Sequence, residues 1–255
     1  MSTRCARVSE DPLEKAPERA GAASHISAHA RAYGGRVIRM VEGQHRIATN
    51  RLADTAADQA LLEALADDVK PALPPAARRL PWLLAAPFRY GLGRPSRFRG
   101  ADVLPGIFYA AEDIATAVAE TAYWRLVAFA RSPGFRRPRT PTPMSAFAVH
   151  VASESALDLT QPPFDAPADR WTHPTDYTAT QALAAAARIA GIAVLRAPSA
   201  RAAGTNVAVL DPAALVPPPA PHSSWAFLAT HDGLIATREM RAEALRFTAA
   251  GFGIG

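Results

Sequence analysis

The spacing of apolar and polar positions changes period several times along the chain. "RVIRMV" (36–41) reads as a strand. In the second half of "HRIATNRLADTAADQALLEALADDVKP" (45–71), Ala57, Ala60, Leu61, Ala64 and Leu65 recur at helical spacing, and Pro71 stops the run. Residues 71–105 carry several prolines and read as loops around a short apolar piece, "PWLLAAPF". Strand 106–110 and helix 113–130 follow, with Asp113 as the helix N-cap. A Pro/Arg-rich loop, "RSPGFRRPRTPTP" (131–143), precedes the alternating strand "MSAFAVHVA" (144–152). After a loop at 160–174, helix 178–191 ends on Gly191, which is placed as a C′ residue. Strand 192–199, a turn at 204–206 and strand 207–211 come next. "VPPPAPHSS" (216–224) reads as an exposed segment before a last strand-like piece, Trp225 to Leu228. Strands interleaved with helices, without internal repeats, predict an α+β fold with a compact mixed sheet and flanking helices. Residues 1–35 are polar and weakly periodic, which predicts a mobile or loosely attached tail ahead of a single domain, 36–255.

Composition narrows the class. At 255 residues the chain can bury a sizeable core. Lys15 and Lys70 are its only lysines, so the positive charge is almost entirely arginine. A net charge of +5 permits an anionic partner, although Arg-over-Lys usage with abundant Ala and Pro is also what a GC-rich genome writes. One cysteine, Cys5, excludes an internal disulfide and fits a reducing compartment. The absence of an 18-residue apolar run and of a signal-peptide pattern predicts a cytoplasmic protein with no membrane partner. No metal site is expected, since His25 and His29 stand four apart without a Cys or carboxylate shell. Neither G-x-S-x-G, G-x-x-x-x-G-K-[ST] nor G-x-G-x-x-G after a strand occurs, which argues against hydrolase-triad, P-loop and Rossmann readings.

One carboxylate draws attention. On the helix 113–130, Ile114, Ala117, Val118, Thr121 and Ala128 project onto one face, Trp124 falls toward its margin, and Glu120 lies just beyond. By itself such a glutamate reads as a solvated charge or a partner of Arg125. Upstream, Arg89, Arg94, Arg97 and Arg99 crowd a Gly/Pro-containing loop; downstream, Ser199 ends an apolar strand and Asn206 opens the next.

In their order, Arg97-Phe98, Tyr109, "ATAVAE" ending in Glu120, Pro198-Ser199, Asn206 and Asp211-Pro212 resemble the RES family, over roughly residues 45–230. Ser96 stands where that family usually has glycine, so Arg89 and Arg99 are carried beside Arg97 as candidates for the key arginine. The resemblance implies an ADP-ribosyltransferase-like fold and cleavage of NAD⁺ at the nicotinamide–ribose bond, by hydrolysis or phosphorolysis. NAD⁺ is then a substrate, with no prosthetic group. The resemblance also implies a toxin restrained by a protein antitoxin, often one with a helix-turn-helix domain.

The chemistry agrees with that implication. An oxocarbenium-like state is stabilised by a nearby carboxylate, which suits Glu120. A pyrophosphate needs a cationic fork, which suits Arg97. Tyr109 would stack on nicotinamide, Ser199 would bond the ribose or orient Glu120, and Asn206 would brace the loop. Two other readings stay open: a transferase that places ADP-ribose on a macromolecule, and a non-enzymatic nucleic-acid binder. Direct nucleic-acid contact is disfavoured by the lack of a helix-turn-helix, zinc-finger or RNA-binding aromatic motif. A homo-oligomer is left open.

Overall fold

The structure, a computed structural model, describes residues 16–43, 55–58, 60, 61, 65, 70–90, 93, 95–132 and 134–254. Its elements run α1 (Ala16–Ala28), β1 (Arg31–Glu42), α2 (Trp82–Arg89), β2 (Phe108–Ala111), α3 (Ile114–Ala130), β3 (Thr142–Asp158), α4 (Ala168–Thr172), α5 (Thr178–Ile189), β4 (Val194–Pro198), β5 (Thr205–Val209), β6 (Leu215–Ala229), β7 (Gly233–Arg238) and β8 (Glu243–Thr248). This is the mixed α+β architecture that the interleaved pattern predicts.

Strand pairing closes a ring. β1 pairs with β2, β2 with β5, β5 with β4, β4 with β3, and β3 again with β1 along nearly its whole length. Alternate residues from all five strands meet inside it, among them Val37, Phe108, Val149, Val194 and Val207. Leu84 and Phe88 of α2 plug one end. The outer surface carries two further cores. One gathers Leu157, Leu195, Ala197 and Ala208 under α1, α4 and α5. The other sets α3 residues Val118, Ala122 and Leu126 against Trp225, Phe227, Leu234 and Ala236 of β6 and β7.

β1 and β2 share one register pair, Ile38 with Ala111, and then diverge. That seam matters, because the residues flanking it line the cleft described below.

Three expectations change. Residues 16–35, taken as part of a loosely attached tail, form α1 and the start of β1, and Ala23 and Ile26 are buried. Residues 1–15 lie outside the described residues. "VPPPAPHSS", expected as an exposed segment ahead of the strand, is exposed but already forms the first part of β6, paired with β3. β7 joins β6 only at residues 225–229, so the prolines occupy the half of the strand with a free edge, where a missing N–H costs nothing. Nor is the Trp225–Leu228 strand the last: β7 and β8 follow as hairpin partners. Of the helix expected within 45–71, residues 56–58, 60, 61 and 65 are helical, residues 55, 70 and 71 are not, and the others lie outside the described residues. The apolar piece at 81–88 is helical, as α2. Gly191 takes φ +72° just after the C-cap of α5, as a C′ residue should.

Candidate active site

α3 begins where the sequence places its start. Asp113 Oδ1 accepts from the Thr116 amide at 2.8 Å, and Oδ2 accepts from the Thr116 hydroxyl at 2.7 Å. The β4–β5 turn presses on this cap. A Cβ on Gly204 would fall 2.1 Å from Thr116 Oγ1 and 2.2 Å from Asp113 Oδ2, so only glycine allows the approach. That turn carries Ser199 on one side and Asn206 on the other, and both reach the helix.

The Ser199 hydroxyl donates to Glu120 Oε1 at 2.6 Å, and the Asn206 side-chain amide donates to the same oxygen. Ser199 Oγ in turn accepts from the Arg201 amide at 3.0 Å. One carboxylate oxygen is therefore pinned by two neutral donors, while Oε2 accepts no hydrogen bond among the described residues. Arg125, the partner anticipated for an isolated glutamate, instead reaches Glu42 at 3.1 Å.

The expected loop turns tightly: the Ser96 amide donates to Arg99 O at 2.8 Å and the Arg99 amide donates back at 3.1 Å. Arg97 and Phe98 stand at its corner. The first turn of α5 grips it, with Gln181 Nε2 donating to Ser96 O at 2.9 Å and the Thr180 hydroxyl donating to Arg97 O. The Arg97 guanidinium donates to Trp171 O from Nε at 2.9 Å and from Nη2 at 2.5 Å, and to Pro198 O at 2.7 Å. Its Nη1 is buried without a partner. Burial pulls the Arg97 pKa below the ordinary arginine value, and the negative charge of Glu120 opposes that shift.

Tyr109 plays a part that spacing did not show. Its hydroxyl bonds Ser96 Oγ at 2.9 Å and accepts from the Phe98 amide at 3.1 Å. It is the strut beneath the arginine loop, and Ser96 supplies half of that strut. Burial raises the Tyr109 pKa, so the phenol stays protonated.

Together these elements enclose a cleft of about 520 Å³, lined among others by Arg39, Arg97, Tyr109, Glu120, Trp124 and Asn206. That volume suits a small-molecule site. Five of the seven sequence candidates converge here: Arg97, Tyr109, Glu120 and Asn206 line the wall, and Ser199 holds Glu120 from behind. Arg99 and Arg89 do not line it. Arg99 is buried beneath the loop, donating to Gly100 O at 3.2 Å, and Arg89 ends α2. Of the three arginines held as candidates, the geometry singles out Arg97.

Arg39 was missed. It sits on β1 where that strand leaves β2, and its Nη1 donates to Tyr109 O at 2.6 Å, bridging the seam that backbone pairing abandons. Its guanidinium lies 5.0 Å from the Phe108 ring centroid, its Nε is buried without a partner, and burial lowers its pKa to about 10. An arginine amid "VIRMV" was the available signal: a cation on a strand that is otherwise apolar needs a reason. Among the described residues, five arginine nitrogens are buried and unpartnered, and three of them belong to cleft residues, Arg39, Arg97 and Arg125. No cluster of metal-binding side chains occurs among the described residues.

The arrangement is that of a small-molecule enzyme: an ionisable carboxylate fixed on one oxygen, open on the other, and facing unsatisfied cations in a half-enclosed cleft. The RES domain matches residues 73–228, and the chain belongs to the RES domain family. The match contains Arg97, Tyr109, Glu120, Ser199 and Asn206, while Arg39 precedes it. No curated protein matches the sequence. Among solved structures, the chain is similar to the M. tuberculosis MbcT–MbcA toxin–antitoxin complex, at 14% identity and a TM-score of 0.48, covering 91% of this chain and 95% of that one. No helix among the described residues is long and apolar enough to cross a membrane.

Proposed function

We propose that this protein cleaves the nicotinamide–ribose bond of NAD⁺ and serves as the toxin of a toxin–antitoxin pair. The observation that carries the reading is Glu120, pinned through Oε1 by Ser199 and Asn206 with Oε2 left to the cleft. As the C1′–N bond breaks, nicotinamide leaves with the bonding electrons, and positive charge spreads over C1′ and the ring oxygen. A carboxylate held in place by neutral donors meets that charge without reorganising. Water then adds to C1′ and releases a proton; phosphate adding there gives the phosphorylated product instead. The guanidinium groups of Arg97 and Arg39, both in the cleft wall, supply the cationic fork for the pyrophosphate. The Tyr109 ring, in the wall beside them, offers nicotinamide a flat apolar face. A protein antitoxin covering the cleft mouth would silence the site by exclusion.

Incubation of the purified protein with NAD⁺, with and without phosphate, should release nicotinamide. Glu120→Gln, which keeps the shape and removes the charge, should lower that rate by about 10²–10³-fold. Equal turnover by the variant would refute the role of Glu120. Induced expression should lower cellular NAD⁺ and arrest growth, and arrest at constant NAD⁺ would refute the toxin mechanism. Label from NAD⁺ appearing on protein or nucleic acid would redirect the reading toward a transferase.

A further inference from the structure

The cleft is longer than its reacting end. From Ile38 to Glu42, all of β1 lines it, a span of about 13 Å at strand rise. From Ala117 to Ala128, one stripe of α3 lines the facing wall, about 16 Å at helical rise. Register orients the two ends. Ile38 pairs with Ala111, which pairs with Asn206, so the Ile38 end is the Glu120 end. Glu42 pairs with Met144 at the other. Arg125 belongs to that far end, bound to Glu42.

Arg125 is held loosely for an arginine in a cleft wall. Its described partner is a carboxylate that is 66% exposed, at 3.1 Å through Nη2 and 3.5 Å through Nη1. Its Nε is buried with no partner. An ion pair with so exposed a carboxylate is weak and exchangeable. Arg39 and Arg97 already provide two cations in the cleft wall for a pyrophosphate, Arg97 close enough to feel the Glu120 charge. A third arginine, at the end remote from the reacting bond, exceeds what a dinucleotide with a single pyrophosphate uses.

We propose that Arg125 recognises an additional phosphate on the adenosine ribose, so that the cleft takes the 2′-phosphorylated dinucleotide, NADP⁺, as a substrate. A guanidinium beside the ribose is the ordinary means of holding a 2′-phosphate. Glu42 is the counter-ion that this phosphate displaces, and it fills the same position when the phosphate is absent. Arg125 is a specificity-determining residue with no part in bond cleavage. The proposal rests on the dinucleotide reading above, so its test includes a measurement that needs no turnover.

Calorimetry with adenosine 2′,5′-bisphosphate and with 5′-AMP compares ligands that differ by the 2′-phosphate alone. The wild-type protein should bind the bisphosphate at least about tenfold more tightly, the scale of one charge-assisted bond. Arg125→Gln should bring the ratio close to one. Glu42→Gln, which frees Arg125 from its competitor, should raise bisphosphate affinity and leave 5′-AMP unchanged. In turnover, Arg125→Gln should lower kcat/KM for NADP⁺ about tenfold or more while that for NAD⁺ stays within about threefold. Equal binding of the two ligands by wild type, or a ratio that survives Arg125→Gln, overturns the proposal. A preserved bisphosphate preference with no nicotinamide released from either dinucleotide would instead sink the cleavage reading and leave the phosphate site standing.

Discussion

Two clusters of carboxylate and arginine sit on the same five-stranded ring, and they satisfy their charges in opposite ways. At the ring end away from α2, Arg196 grips Glu112 with both arms, Nε to Oε1 and Nη2 to Oε2 at 2.8 Å each. It reaches Asp158 at 3.1 Å, and Tyr33 adds a hydrogen bond to Glu112 at 3.1 Å. These partners hold the Arg196 pKa above its ordinary value, and burial beside Glu112 raises that of Tyr33. In this cluster every charge has an opposite charge, and the arrangement ties β1, β2, β3 and β4 together. In the cleft, Glu120 is held by a hydroxyl and an amide, and Arg97 by backbone carbonyls. Neutral dipoles fix these charges without cancelling them. A cluster whose charges pair with one another serves the fold, whereas one positioned by dipoles keeps its charge for a ligand.

The sharpest way to break this contrast is to exchange the outcomes. Glu120→Gln should remove turnover, by about 10²–10³-fold, with little change in melting temperature. Arg196→Leu should do the reverse. It leaves two partly buried carboxylates without their cation, at a cost of about 2 kcal/mol once their exposure is allowed for. That loss corresponds to a melting temperature lowered by about 4–8 °C, with turnover per folded molecule retained. A stability loss for Glu120→Gln as large as that for Arg196→Leu would erase the distinction.

Arg39 comes next. Its folded pKa of about 10 lies below the ordinary arginine value, so the unfolded chain holds that proton more tightly. The resulting penalty on folding is present in full below pH 10 and fades as pH rises above 10 toward the ordinary arginine value. At neutral pH, Arg39→Met should therefore leave the melting temperature unchanged or higher, while raising KM for NAD⁺ about tenfold or more. A lower melting temperature with unchanged KM would make Arg39 a structural bridge only.

Ser199→Ala removes one of two donors to Glu120 Oε1 and should lower kcat about tenfold with KM little altered. Parallel rises in KM would place Ser199 on the substrate instead. Smallest of all, Tyr109→Phe loses the strut to Ser96 and the Phe98 amide, at about 1 kcal/mol of stability, with a severalfold fall in kcat/KM as Arg97 loosens. An unchanged kcat/KM would show that α5 alone holds the loop.

Much of the architecture was legible in the pattern of residues. The α3 cap, the Gly191 terminus and the strands carrying Tyr109 and Asn206 all follow from local rules. The projected face of α3 was read less well. Val118 on that face is buried in the core and Ala117 beside it both packs there and borders the cleft, whereas Thr121 and Ala128 line the cleft together with Glu120 and Trp124. Periodicity reports that a face avoids water, and a cleft wall and a core look alike by that measure. β6 was misjudged because proline argues against central strands, and whether a strand has a free edge is a property of its neighbours.

By itself, then, the sequence determined most elements between β1 and the first part of β6, because caps, turns and apolar spacing act within a few residues, and the order of its motifs supplied the family resemblance and the candidates of the site. The tertiary structure decided their roles. Ser199 and Asn206 stand 79 and 86 positions from Glu120, and only ring closure with a bare glycine at 204 brings them to one oxygen. It also chose Arg97 over its neighbours and brought in Arg39, because the worth of a charge depends on which dipoles and which cavity surround it.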